Sequence, residues 1–253
     1  MRILFVADVF GAPGRRAVES RLPTLRAELG VDFCIVNGEN AAAGRGITPK
    51  IATSLLEHGA DVVTLGNWTF GQPGFGPFLD GTDRVIRPAN MSPRSPGIGL
   101  TVQKGVAVIN LLGSFSHDPF ESPFIAADRL VAEARTRTPV VIVDFHAEAT
   151  SEKVALAYHL DGRVTAVIGT HTHVQTNDAR VLAGGTAAIT DAGMTGPHDS
   201  VIGSEPAGAL QRFVDGQPSR LEPASGDVRI EGVIVDCGDD GVAAACTSLR
   251  VSI

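Results

Sequence analysis

Short apolar runs rich in β-branched residues recur along the chain: ILFVA (3–7), FCIV (33–36), DVVTL (61–65), VAVINLL (106–112), VVIVDF (140–145) and VTAVIG (164–169). Runs of this length without polar alternation read as strands covered on both faces. Helix-like stretches lie between several of them. Residues 14–29 set Ala17, Leu22, Leu25 and Leu29 near helical spacing. Residues 48–58 open on Thr48-Pro49, an N-cap and first-turn pair. Residues 124–137 read FIAADRLVAEARTR, with an apolar and a charged face. This alternation predicts an α/β domain around a mainly parallel central sheet. The last third changes character. RVLAG, TAAIT, VRIEGVIVDC and GVAAACTSLRV predict antiparallel strands, with DCGDDGV (236–242) as a hairpin loop. GQPSRLEPASGD (216–227) reads as a surface loop. A domain boundary there is the alternative to one domain over 1–253.

The chain of 253 residues, 43% apolar, is long enough for a substantial core. Net charge is −7 and no Lys/Arg run occurs, which disfavours long nucleic acids and anionic membranes as partners. A small phosphate ester is still compatible, because bound cations supply local positive charge. Cys34, Cys237 and Cys246 are too few and too scattered for a disulfide framework, so a reduced, cytoplasmic setting is expected. No apolar run approaches membrane-spanning length.

The chemistry collects where the strands end, which is where open α/β sheets bind ligands. Asp8 follows ILFVA, and Glu39-Asn40 follow FCIV. Gly66-Asn67 follow DVVTL, His146 follows VVIVDF, and His171 and His173 stand in GTHTH after VTAVIG. Singly, each has an ordinary reading: Asp8 as a helix cap, Asn67 in a left-handed turn, His146 as a core histidine. Together they form an oxygen and nitrogen donor set without thiolate, which suits a catalytic Fe, Mn or Zn centre. Seven donors exceed the needs of one ion. Two ions about 3.5–4 Å apart would use them, with Glu39 as the bridge, Asn40 serving one and Asn67 the other. In extended backbone His171 and His173 would face one side; a tight turn would send them to different ions.

Other residues carry weaker signals. FGAPGRR (10–16) lacks the ending of a P-loop and reads as a loop and helix start beside the site. Arg45 in GRG is a candidate phosphate contact or a solvated loop residue. Asp144 and Glu148 flank His146, and one of them is expected to orient it. His117 in SFSHDPF has no evident partner and reads as a surface-loop residue.

The set Asp8, GEN (38–40), GN (66–67), His146 and GTHTH resembles the calcineurin-like metallophosphoesterases. More narrowly, NGENAAAGRGIT, RPAN, DFHAEATSEK, GTHTHVQT and DAGMTGP resemble the bacterial YmdB family along nearly the whole chain. The resemblance implies an α/β fold of the four-layer α/β/β/α sandwich type and two divalent ions, Fe or Mn, with Zn as a further candidate. It implies a phosphodiesterase opening 2′,3′-cyclic nucleotides to 3′-phosphates, and a homo-oligomer. Carried over, Asp8, Glu39, Asn40 and His173 would hold one ion, and Glu39, Asn67, His146 and His171 the other. Phe10 stands where broader superfamily members have a histidine, with Asn40 as the compensating ligand.

One departure matters. In TLGNWTF (64–70), Trp68 replaces the histidine that the family is thought to use as proton donor. An indole is neither acid nor base near neutral pH, and losing a general acid costs about 10²–10⁴-fold. The expectation is weakened or substrate-restricted turnover with the metal centre kept. His198 in GMTGPHD is a candidate substitute acid, and Trp68 itself a candidate base-stacking surface. The alternatives are a catalytically weak metal-bearing nucleotide sensor or regulatory binding protein, and a phosphomonoesterase or protein phosphatase.

Overall fold

Each of these apolar runs forms a strand, but the strands belong to two sheets. A computed structural model describes the whole chain, residues 1–253. In chain order the elements are β1 (Arg2–Val6), α1 (Gly11–Leu29), β2 (Phe33–Asn37), α2 (Pro49–Glu57), β3 (Val62–Thr64), α3 (Phe75–Asp80), β4 (Val85–Ile86), β5 (Leu100–Gln103), β6 (Val106–Leu112), α4 (Pro123–Arg135), β7 (Val140–His146), α5 (Thr150–His159), β8 (Ala166–Thr170), β9 (Arg180–Val181), β10 (Ala187–Ile189), β11 (Gly196–Asp199), α6 (Pro206–Asp215), β12 (Gly226–Cys237) and β13 (Ala243–Ser252). One sheet runs β11-β12-β1-β2-β3-β4, with β13 paired to β12; the other runs β5-β6-β7-β8-β10-β9. The single central sheet read from the strand pattern is corrected to two, as the family resemblance implies. Strands buried on both faces carry no alternation that would say which sheet they join.

Side-chain alternation along β1 shows how the layers form. Ile3 and Phe5 point into a core shared with Val108, Ile142 and Ile168 of the second sheet. Leu4 and Val6 point the other way, onto Val18, Leu22 and Leu25 of α1 and Leu55 of α2. The second sheet repeats this. Ala107, Ile109, Val141 and Val143 pack outward against Leu130 of α4 and Leu156 of α5. The result is the four-layer α/β/β/α sandwich. Phe5 is fully buried between the sheets, so Phe5→Ala would cost about 3–5 kcal/mol.

Local chemistry sets the element ends. Thr48 caps α2 by accepting the Ile51 N–H at 3.3 Å, with Pro49 in the first turn. α1 stops at Gly30, whose left-handed φ of 64° lets the Gly30 and Val31 N–H groups close back on the last turn. The β12–β13 hairpin forms as expected around 238–242, and β12 pairs antiparallel with β1. α5 arises within DFHAEATSEK, whose polar residues hid its helical period. No helix is long and apolar enough to cross a membrane.

Candidate metal centre

The carboxyl ends of β1, β2 and β3 from one sheet meet those of β7 and β8 from the other. Buried polar bonds tie the sheets beneath this edge: Asn37 Nδ2 donates to Asp144 Oδ2 at 2.9 Å, and the Leu65 N–H to Asn110 Oδ1 at 3.2 Å. The parallel register sets His146 beside Thr170. That pairing brings His146 Nδ1 and Thr170 Oγ1 to 3.0 Å, while Thr170 donates to Asp144 Oδ1 at 2.8 Å. Asp144 thus orients His146 through a threonine. Glu148, the other flanking carboxylate, lies 3.0 Å from His171 Nε2 instead. Each carboxylate fixes one ring and leaves its other nitrogen facing the centre.

The two histidines of GTHTH diverge. His171 and His173 have φ of 99° and 64°, left-handed values that a non-glycine residue adopts at a cost of about 1–3 kcal/mol each. The backbone is a turn, not extended. It sends His171 Nδ1 to 3.2 Å from His146 Nε2, which is itself 3.1 Å from Asn67 Oδ1 and 3.7 Å from Glu39 Oε1. His173 Nε2 lies 3.1 Å from Asn40 Oδ1, with Nδ1 held 2.9 Å from the Ile202 carbonyl. The Asp8 carboxylate accepts the His171 N–H at 3.0 Å and lies 3.8 Å from His146. Ligands bound about 2.0–2.2 Å from one ion stand roughly 3–3.6 Å apart, and most of these spacings match. No three His, Cys, Asp or Glu side chains make a ready cage by themselves, so either ion would need an asparagine, Asn40 or Asn67.

The electrostatics favour a cation. Asp8 Oδ1 and Glu39 Oε2 are buried with no hydrogen-bond partner. Burial, with the charge of Asp191 nearby, pushes Asp8 up to about 8. Burial also pushes Glu39 up to about 8 and Asp144 up to about 7. Burial and mutual repulsion hold His146 well below the histidine range and His171 down to about 3; His173 is lowered as well. Neutral imidazoles beside carboxylates lacking a counter-charge form a donor set suited to divalent ions.

Packing explains the short motifs. A Cβ on Gly66 would stand 2.3 Å from the His146 ring, so only glycine admits this approach. Phe10, at the place of the superfamily histidine, packs edge-on against His173 with ring centroids 5.6 Å apart. The Trp68 N–H donates to Glu39 Oε1, so the backbone at position 68 holds the expected bridge. The Trp68 ring is covered by Arg45, whose guanidinium carbon lies 4.0 Å from the ring centroid. His198 stands 3.3 Å from Glu231 Oε2 and 3.1 Å from the Gly196 carbonyl; neither ring nitrogen hydrogen-bonds any of the seven donors.

Two features escaped the sequence reading. His117 sits in a loop of mostly exposed residues, as expected, but its half-buried ring turns inward onto the candidate centre. Its ring lies edge-on to His171, centroids 4.6 Å apart, and 6.2 Å from His146, and its Nε2 is buried without a partner. Burial lowers its pKa too. The loop carrying it has no periodicity from which to read this contact. The second feature is a buried ion pair, Lys153 Nζ to Asp191 Oδ2 at 2.8 Å. The same oxygen accepts the Thr172 N–H and hydroxyl, clamping the turn between the two histidines. Their motifs, DFHAEATSEK and DAGMTGP, stood out as family-like segments but with no role for Lys153 or Asp191.

The model of the YmdB-like protein family matches residues 4–249. The chain belongs to that family. It is 48% identical over 243 residues to the 2′,3′-cyclic-nucleotide 2′-phosphodiesterase of Bacillus subtilis (strain 168), covering 94% of this chain and 92% of that one. A putative phosphatase/phosphodiesterase of Mycoplasma genitalium is 34% identical, over 93% of this chain and 87% of that one. The YmdB-like architecture recurs in a hypothetical protein of Thermus thermophilus with TM-score 0.93, 40% identity, and coverage of 100% and 99%. It recurs in a phosphatase of Mycoplasma pneumoniae with TM-score 0.92, 31% identity, and coverage of 100% and 93%. This YmdB-like chain is accordingly an enzyme of a phosphodiesterase family.

Proposed function

We propose that this chain is a metal-dependent phosphodiesterase that opens small 2′,3′-cyclic nucleotides to 3′-phosphates. The observation carrying the metal dependence is the pair of unpartnered buried oxygens, Asp8 Oδ1 and Glu39 Oε2, among neutral imidazoles. The name of the Bacillus subtilis relative supports the substrate class. Asp8, Glu39, Asn40 and His173 would hold one ion and Glu39, Asn67, His146 and His171 the other. Two divalent ions, Fe or Mn with Zn as a further candidate, would polarise the phosphoryl oxygens and make water more acidic there.

The chain's own groups do the rest. Asp144 and Glu148 keep the His146 and His171 rings aligned. The Trp68 N–H fixes Glu39, and Lys153–Asp191 keeps the strained turn closed. Arg45, packed on Trp68, adds positive charge at the rim. Hydrolysis of 2′,3′-cyclic AMP by Mn-supplied protein tests the reading. Turnover lost with chelator and in Asn67→Ala supports it; no turnover, with phosphomonoesters cleaved instead, overturns it. A second reading, a nucleotide sensor of negligible turnover, is favoured by one observation: position 68 offers only an indole, covered by Arg45. Tight nucleotide binding without hydrolysis would favour that reading.

A further inference from the structure

A cleft of about 510 Å³ opens beside the candidate centre, in the range of sites for small ligands. Asn67, His117, Phe70, Phe120, Ser92 and Ser95 are among the residues that line it; Trp68 does not line it. Phe70 and Phe120 are exposed, at 44% and 71%. The one imidazole in this wall outside the seven donors is His117, carried by the loop between β6 and α4. Its ring packs on His171, and its buried Nε2 has no protein partner. A buried ring nitrogen without a partner, on a residue that lines a ligand-sized cleft beside the proposed centre, calls for an explanation, and a polar group of a bound ligand provides one.

Building on the cyclic-nucleotide reading above, we infer that His117 is a catalytic residue whose Nε2–H donates a hydrogen bond to the leaving oxygen, with the departing nucleoside in this cleft. Water oxygen bonds to phosphorus, the P–O2′ bond breaks, and its electron pair stays on O2′. The proton that O2′ gains is the one the attacking water releases, passed through solvent. His117 keeps its own proton and stabilises negative charge as it develops on O2′. It takes over, from another loop, the contact that Trp68, outside this cleft and covered by Arg45, does not make. Phe70 and Phe120 offer faces for a base.

Wild type, His117→Ala and His117→Gln would be compared with Mn supplied, on 2′,3′-cyclic AMP and on bis(4-nitrophenyl) phosphate, whose leaving group needs little stabilisation. His117→Ala is expected to lose about 10²-fold on the cyclic nucleotide and under about tenfold on the nitrophenyl ester. His117→Gln, which keeps an N–H, recovers part of the loss. Binding gives a readout free of turnover. Wild type should prefer 3′-AMP over 2′-deoxyadenosine 3′-phosphate by about fivefold, and His117→Ala should lose that preference. Mn content stays at the wild-type level. Equal losses on both substrates, a fall in Mn content, or wild-type behaviour of His117→Ala would each overturn the role of His117 alone. Wild type that cleaves the nitrophenyl ester but neither binds nor cleaves the cyclic nucleotide would overturn the substrate reading, and this inference with it.

Discussion

Two groups of buried carboxylates lie side by side at the same sheet edges, and the chain treats them oppositely. Asp191, 1% exposed, has its own cation: Lys153, 3% exposed, at 2.8 Å, with Thr172 and Gly193 donors completing its shell. Asp8 and Glu39, 0% and 1% exposed, have no cation from the chain, and each leaves one oxygen unpartnered. A buried charge is tolerated only when paired. Where the carboxylate serves structure, the sequence supplies the partner. Where it is left bare, the proposed metal ions would supply the partner from outside the chain.

The largest expected effect is on the paired side. Lys153→Met strands the Asp191 charge and should cost about 3–5 kcal/mol, read as a lower denaturation midpoint with or without Mn. A loss seen only in the Mn-loaded protein would break the contrast. On the bare side the sign reverses. Glu39→Gln replaces a buried carboxyl that the chain leaves without a counter-charge by a neutral amide, so the metal-free protein should be no less stable than wild type while turnover falls to background. Destabilisation like that of Lys153→Met would show that Glu39 has a partner within the chain.

A smaller effect is pH-dependent. The carboxyls of Asp8 and Glu39 rise from 3.8 and 4.5 to about 8 on folding. A raised pKa favours folding fully below the unfolded value, and that contribution is lost as pH climbs through the folded one. His171, lowered from 6.5 to about 3, works the other way and loses its contribution as pH falls below 6.5. Between pH 6.5 and 8 the carboxylates dominate, so the metal-free melting temperature should fall over that interval and Mn should flatten the fall. Equal slopes with and without Mn would remove the distinction between the two groups.

The smallest effect is one step further out. Thr170→Val cuts the relay from Asp144 to His146 and should lower Mn affinity or turnover about 10–100-fold, measured by titration and by rate. Unchanged affinity and rate would mean that β7–β8 register alone aims the ring.

Much of this edge was legible in the sequence because each buried strand ends abruptly on a polar residue: Asp8 after β1, Glu39-Asn40 after β2, Asn67 after β3, His146 at the end of β7. What pairs with what was not legible. Strands covered on both faces look alike, so their division between two sheets did not show. The left-handed φ of His171 and His173 goes against residue preference and follows from the clamp on Thr172 by Asp191, a contact made only in the folded chain. Lys153 and His117 lie far in sequence from the partners that give them meaning. For His117, even the local signal, a serine- and proline-containing loop, pointed to the surface.

The decisive measurement is a calorimetric Mn²⁺ titration of chelator-treated wild type and Glu39→Gln at pH 8. Two ions bound per wild-type chain, with stoichiometry or affinity collapsing in Glu39→Gln, is the expected result. No binding by wild type, or binding that Glu39→Gln leaves unchanged, would contradict a dinuclear centre bridged by Glu39.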